Sequence, residues 1–266
     1  MRCAGRVFSQ VSVQVLRTVL TDVLGLVLPV ECPGCGAHDT HLCADCRELL
    51  TAPPRRCEED TVFLAARDVG GIGPADLGLP TWAVAPYASG SRRVVLAWKT
   101  GVRPDLAPEL NRVGTAAGRR LAEHLIEAPG SGPILLVPAP SGWRRRLARR
   151  FVVGELADAV AVGLSTGLAR HGRGRPVWVV DVLRRRGGSS HRLGAAARGR
   201  SSRAAVHLVA DLPPGAPCML VDDVVTTGAT LAAARDALTM AGGQVLGAFA
   251  LLATPRPGST TWRADP

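Results

Sequence analysis

The residues of this chain best placed to do chemistry run together, from Leu220 through Val221, Asp222, Asp223, Val224, Val225, Thr226, Thr227, Gly228, Ala229 and Thr230 to Leu231. An apolar strand leads into two acids, then a turn of small residues, then a helix. Thr226 to Thr230 can aim their backbone N–H groups at one point, where the start of a helix also favours an anion. Gly228 permits close approach and a backbone angle that other residues avoid. The hydroxyls of Thr226, Thr227 and Thr230 add donors, and the whole suits a phosphate. Asp222 and Asp223, one step before the turn, can accept from two sugar hydroxyls or sit near a Mg²⁺ carried by the ligand. The competing reading is an ordinary strand–turn–helix with an acidic cap, and the paired acids before Thr-Thr-Gly-Ala-Thr weigh against it. A Walker-type loop is ruled out, because its lysine and spaced glycines are missing.

A second constellation lies near the N-terminus. Four of the seven cysteines, Cys32, Cys35, Cys43 and Cys46, form two C-x-x-C pairs. Tetrahedral Zn²⁺ takes four thiolates, and two such turns supply them from opposite sides. His38 or His41 replacing one cysteine is an alternative, as is a redox-active pair. The expected role is structural, metal replacing the core that so short a segment cannot build. Cys3, Cys57 and Cys218 stand apart, Cys218 in a strand. An odd cysteine count with tight pairs argues against a secreted disulfide framework, so the expectation is a reduced, cytoplasmic protein.

The formal charge is +10, and Lys99 is the only lysine. Arginines cluster at Arg144, Arg145, Arg146, Arg149 and Arg150, and again from Arg184 to Arg203. They suit an anion site, with nucleic-acid backbone further out. Solvated arginines in a protein of GC-rich coding bias are the alternative. Aromatic residues are only 4% of the chain, so stacking platforms for single strands would be sparse. Each basic stretch follows a strand end, and parallel strands open on one edge, so both should border the face that holds Asp222–Thr230.

The elements that must position these groups follow from periodicity. Strands are expected at Trp82–Tyr87, Ile134–Val137, Val177–Leu183, Pro217–Asp222 and Val245–Leu252. Helices are expected at Ser91–Lys99, Pro108–Ala128, Phe151–Leu168 and Ala229–Ala241. Arg184–Arg203 reads as a mobile loop. Alternating strands and helices imply an α/β domain with a mostly parallel sheet over residues 81–254. Before it come an N-terminal helix and cysteine module over 1–57 and a Gly/Pro-rich linker over 58–80; a tail follows at 255–266. Leu16, Val19, Leu20, Val23, Leu24 and Val27 share one helical face, but Gln14, Arg17 and Asp22 interrupt the apolar run. An amphipathic helix, without stable membrane insertion, is expected there.

The twelve residues Leu220–Leu231 resemble the phosphoribosyl pyrophosphate (PRPP) motif of type I phosphoribosyltransferases. The resemblance implies that fold, with Asp222 and Asp223 at the ribose hydroxyls and Thr226, Thr227, Gly228, Ala229 and Thr230 around the 5-phosphate. Lys99-Thr100-Gly101, then Leu135-Leu136-Val137-Pro138-Ala139-Pro140-Ser141, then the arginines and the acid pair, is similar to the ComF family, as are the N-terminal cysteines. That likeness implies a PRPP- or ribose 5-phosphate-binding protein acting in DNA uptake, with Lys99, Pro140 and Ser141 on the pyrophosphate side. It also implies Mg²⁺ with PRPP, structural zinc, and single-stranded DNA and DNA-uptake proteins as partners; a homodimer is compatible with it. The alternatives are a phosphoribosyltransferase that transfers phosphoribose from PRPP to an unidentified acceptor with release of pyrophosphate, and a gene regulator without catalysis. The family's R-G-F-N stretch is Arg149-Arg150-Phe151-Val152 here, its loop glutamine falls at His191, and a later asparagine falls near Arg203. These departures leave the phosphate loop intact and bear on the second substrate.

Overall fold

The apolar runs become one six-stranded sheet in the computed structural model, which describes residues 30–66, 78–130, 132–140, 152–185, 206–259 and 262. In chain order the elements are α1 (Ala44–Thr51), β1 (Arg55–Arg56), β2 (Thr81–Pro86), α2 (Ser89–Thr100), α3 (Ala107–Leu125) and β3 (Ile134–Pro138). Then come α4 (Val152–Arg170), β4 (Val177–Val179), β5 (Leu183–Arg185), β6 (Val206–Leu208), β7 (Pro217–Val225), α5 (Ala229–Met240) and β8 (Gln244–Ala253). The strand order is β1-β2-β8-β7-β3-β4. Every pairing in that sheet is parallel except β1 with β2. The mostly parallel, helix-flanked α/β sheet expected from the alternation is therefore present.

Both faces of the sheet are covered, and the period-2 pattern shows how. Trp82, Val84, Ile134, Leu136, Met219, Val221, Phe249 and Leu251 face a core shared with α1 to α4. Their neighbours Ala83, Leu135, Val137, Cys218, Leu220, Ala248 and Ala250 face a second core with Leu231 and Leu238 of α5. Strands buried on both faces read as continuous apolar runs, as these do. On α3 the expected stripe of Leu110, Val113, Ala117, Leu121 and Leu125 is buried. Helices α3 and α4 touch backbone to backbone: a Cβ on Gly118 would press on the Val160 carbonyl, and one on Gly163 on the Thr115 carbonyl. By length and hydropathy α4 could cross a membrane, yet here it is a core helix against α3 and the sheet.

Several expectations are corrected by packing. Strand β7 runs to Val225 rather than ending at Asp222, because Val224 and Val225 still pair with Leu252 and Ala253. The expected strand Val177–Leu183 is two, since Asp181 turns the chain and holds the Arg184 guanidinium at 3.0 Å. Leu183–Arg185 then pairs antiparallel with Val206–Leu208, so Arg184 and Arg185 belong to a strand, not a loop. The segment 58–80 is not all linker: Leu64 and Leu79 are fully buried. The Leu79 N–H donates to the Leu64 carbonyl at 2.9 Å. The N-terminal helix, the Arg144–Arg150 stretch and the chain from 186 to 205 lie outside the described residues.

Candidate phosphate site and cysteine cluster

Strand β7 delivers the acids, and the turn after it forms a small cup. Gly228 is the N-cap of α5 with φ +77°, the left-handed conformation that glycine enters without steric cost. Thr226 and Thr227 are exposed, Gly228 is buried, and Ala229 and Thr230 are half-buried. The Ala229 N–H points toward the Thr227 hydroxyl at 3.4 Å. Asp222 and the run Val224–Leu231 line a cup of about 40 Å³. A single water needs roughly 10–15 Å³, so the cup has room for one small tetrahedral anion. Donors here are backbone N–H groups and threonine hydroxyls at the start of a twelve-residue helix, the arrangement that stabilises a phosphate.

The two acids part company. Asp222 lines the cup and accepts the Asp223 N–H on Oδ1 at 2.8 Å. Asp223 is turned toward α2, where Lys99 Nζ donates to its Oδ1 at 2.6 Å, with the carboxylate side chain only 2% exposed. Its Oδ2 is buried without a hydrogen-bond partner. Adjacent strand residues face opposite sides, which is why one cup cannot claim both. Burial, joined by the charge of Asp223, pushes the Asp222 carboxyl up to about 8, against the opposing pull of the Asp223 N–H and Lys99. A half-buried acid beside a buried one, with a single ammonium beside them, retains a proton that a fully solvated pair would lose. The chain's sole lysine, expected on the pyrophosphate side, thus holds one of the acids. Nothing local in the sequence announces this pair, which joins residues 124 positions apart.

Of the other expected pyrophosphate-side residues, Pro140 is buried just past the end of β3. The preceding Ala139 N–H donates to the Val221 carbonyl at 2.7 Å, so this stretch runs alongside β7. Ser141, Arg150 and His191 lie outside the described residues, and Val152 opens α4. A larger cavity, about 370 Å³, sits at the opposite edge of the sheet, where Pro133 and Pro217 enter β3 and β7. Its lining of Leu135, Trp178, Val180, Val182 and prolines offers little to a phosphate.

The four cysteines converge as their spacing implies. Their sulfurs all lie within 4.8 Å of one another. Cys43 Sγ is 3.7 Å from Cys32 Sγ and 3.5 Å from Cys35 Sγ. Zinc–sulfur bonds of about 2.3 Å at tetrahedral angles place sulfurs about 3.8 Å apart, so the set fits Zn²⁺. Burial disfavours the Cys32 thiolate, but the Cys43, Cys35 and Gly34 backbone N–H groups outweigh it and bring Cys32 down to about 6. His38 and His41 are not part of the set: His38 pairs with Glu31 and His41 with Asp105. Cys57 and Cys218 stay buried elsewhere, their thiols pushed up by burial to about 12 and about 11.

The cluster is bound to the α/β domain rather than suspended from it. Cys32, Leu42, Cys46 and Leu50 share one core with Val94, Val95 and Trp98 of α2. Arg93 donates to the Gly34 carbonyl from Nε at 2.7 Å. Arg103 donates to the carbonyls of Glu31 at 2.7 Å and His41 at 3.0 Å.

No protein-family model and no curated protein matches the chain. Among solved structures, it is similar to a hypoxanthine phosphoribosyltransferase from Staphylococcus aureus, seen in a tetragonal and an orthorhombic crystal form. The TM-scores are 0.30 and 0.28 at 15% identity, covering 57% of this chain and 67% and 68% of those chains.

Proposed function

We propose that the chain binds ribose 5-phosphate or PRPP at the β7–α5 turn. The observation that carries this reading is Gly228 in the left-handed conformation at the head of α5, closing a phosphate-sized cup that Asp222 also lines. On this reading Thr226–Thr230 surround the 5-phosphate and Asp222 accepts from the ribose hydroxyls. Asp223, tied to Lys99, keeps β7 and α2 together beneath the site. Mg²⁺ enters with PRPP, and Asp222, on giving up its proton, would offer it an oxygen ligand. Titration calorimetry with ribose 5-phosphate, and with PRPP and Mg²⁺, tests the reading. Thr227→Ala with Asp222→Asn should abolish binding while the circular dichroism spectrum stays unchanged. Equal affinity in that double variant would dismiss the site.

The ComF likeness extends the proposal to a cytoplasmic role in DNA uptake, with single-stranded DNA and uptake proteins as partners. Support comes from the order of motifs, the cysteine set and the basic stretches, not from the fold. DNA affinity should fall steeply with salt and show little sequence preference. Negligible binding at low salt would remove the DNA half and leave the sugar-phosphate half standing. The competing reading, transfer of phosphoribose from PRPP to an acceptor, predicts pyrophosphate release in an acceptor screen run with and without DNA.

A further inference from the structure

The phosphate turn does not hold its shape alone. Thr61–Ala66, part of the stretch that composition marks as linker, lies against it. The Phe63 N–H donates to the Thr227 carbonyl at 3.1 Å, fixing the peptide that precedes Gly228. Leu64, fully buried, fills the space beside Gly228. A Cβ on Gly228 would fall inside the Leu64 side chain, far closer than real Cβ contacts come.

This strut is itself anchored on both sides. The N–H groups of Leu64 and Ala65 return to the Thr61 carbonyl at 3.2 Å each, and the Thr61 hydroxyl donates to the Glu58 carbonyl at 2.8 Å. Buried Glu58 accepts the Thr81 N–H at the start of β2 at 3.1 Å. Downstream, the Leu79 N–H closes on the Leu64 carbonyl at 2.9 Å. The Ser259 hydroxyl adds a bond to Asp60 at 2.9 Å.

We infer that Leu64 and the Phe63 N–H are positioning groups for the sugar-phosphate site, holding Thr227 and Gly228 in the anion-binding conformation before ligand arrives. This deepens the proposed function and rests on it for the identity of the ligand. The physical reason is preorganisation. A turn with glycine at its head has many alternative shapes, and only one aims the N–H groups of Thr227–Thr230 inward. Leu64 occupies the volume that the turn would need to collapse, and the Phe63 hydrogen bond sets the direction of the Thr227 peptide. The segment just downstream of the cysteine module thus contributes to the site without touching the ligand.

The test compares full-length wild type, Leu64→Ala, Leu64→Met and Leu168→Ala. Leu168 is equally buried but belongs to α4 in the other core, so Leu168→Ala controls for lost stability. Affinity is read with ribose 5-phosphate and with inorganic phosphate, and amide hydrogen exchange is read at Thr226–Thr230 without ligand. Leu64→Ala should weaken both ligands by about tenfold or more and speed exchange across the turn. Leu64→Met, which keeps the volume, should recover most of the affinity, and Leu168→Ala should change neither readout at matched folded fraction. Equal affinity and exchange for Leu64→Ala and Leu168→Ala would overturn the inference. Should Leu64→Ala fail to fold, an unaltered turn in Leu64→Val would overturn it instead, and accelerated exchange there would uphold it. If wild type ignores both ligands, the functional reading falls, while the exchange comparison still decides whether Leu64 holds the turn.

Discussion

Asp222 carries a proton that the unfolded chain would have released. Burial first, and then the neighbouring Asp223 charge, push its carboxyl up to about 8 from the ordinary 3.8. Between those two values the folded chain binds more protons than the unfolded one, so this group lowers stability as pH rises through the window. Below it both states are protonated and the group contributes no slope. Urea denaturation across this range should show wild type losing stability toward alkaline pH, with Asp222→Asn flattening the dependence. An unchanged slope in Asp222→Asn would place the proton elsewhere in the Asp222–Asp223–Lys99 group. The residue types of the site could be read from Asp222–Thr230 alone, because the turn chemistry is local. The split between the acids could not, since it depends on Lys99 arriving from α2.

Elements with a strong period were legible, and very short ones were not. Ile134–Val137 and Pro108–Ala128 lie within a few residues of β3 and α3 because one is wholly apolar and the other striped. Strand β1 is only Arg55–Arg56. Its place depends on pairing with β2 and on the Arg56 guanidinium lying 5.3 Å from the Trp82 ring centroid. No pattern of two arginines could reveal that. The α3–α4 contact gives a sharper test. Gly163→Ala would drive a methyl into the Thr115 carbonyl, where backbone rather than a pliable side chain must yield. A loss of roughly 1–3 kcal/mol is expected in denaturant unfolding, and ribose 5-phosphate affinity should change little at matched folded fraction. The cysteine cluster makes the complementary prediction. Metal analysis should find one zinc per chain, lost in Cys46→Ser, and chelation should lower the melting temperature. Acidification should also release the metal, because thiolates are its ligands.

At the scale of the molecule, the cysteine module and the α/β domain are one body. The division after residue 57 follows composition, but the core does not respect it: Leu42 and Leu50 are buried with Val94 and Trp98. Each buried leucine contributes about 1.5–3 kcal/mol, so two account for about 3–6 kcal/mol, a large part of a typical domain's 5–15 kcal/mol. Removing residues 1–57 should therefore yield a poorly soluble remainder with a lowered melting temperature. A truncated chain that melts like the full one would show the module to be dispensable. Long-range burial of this kind is invisible to local pattern, because each partner alone reads as an ordinary apolar residue.

The bond between Lys99 and Asp223 also gives the protein a chemical address. No other side chain in it bears a primary amine. Among the side chains of this sequence, an amine-directed reagent therefore has Lys99 as its one primary-amine target. Lys99 is engaged at 2.6 Å with a carboxylate that solvent barely reaches, so its acylation should be far slower than that of a free lysine, as mass spectrometry of a timed reaction would show. Isotopic labelling with lysine would put a single reporter in this sequence, beside the strand that leads into the β7–α5 cup.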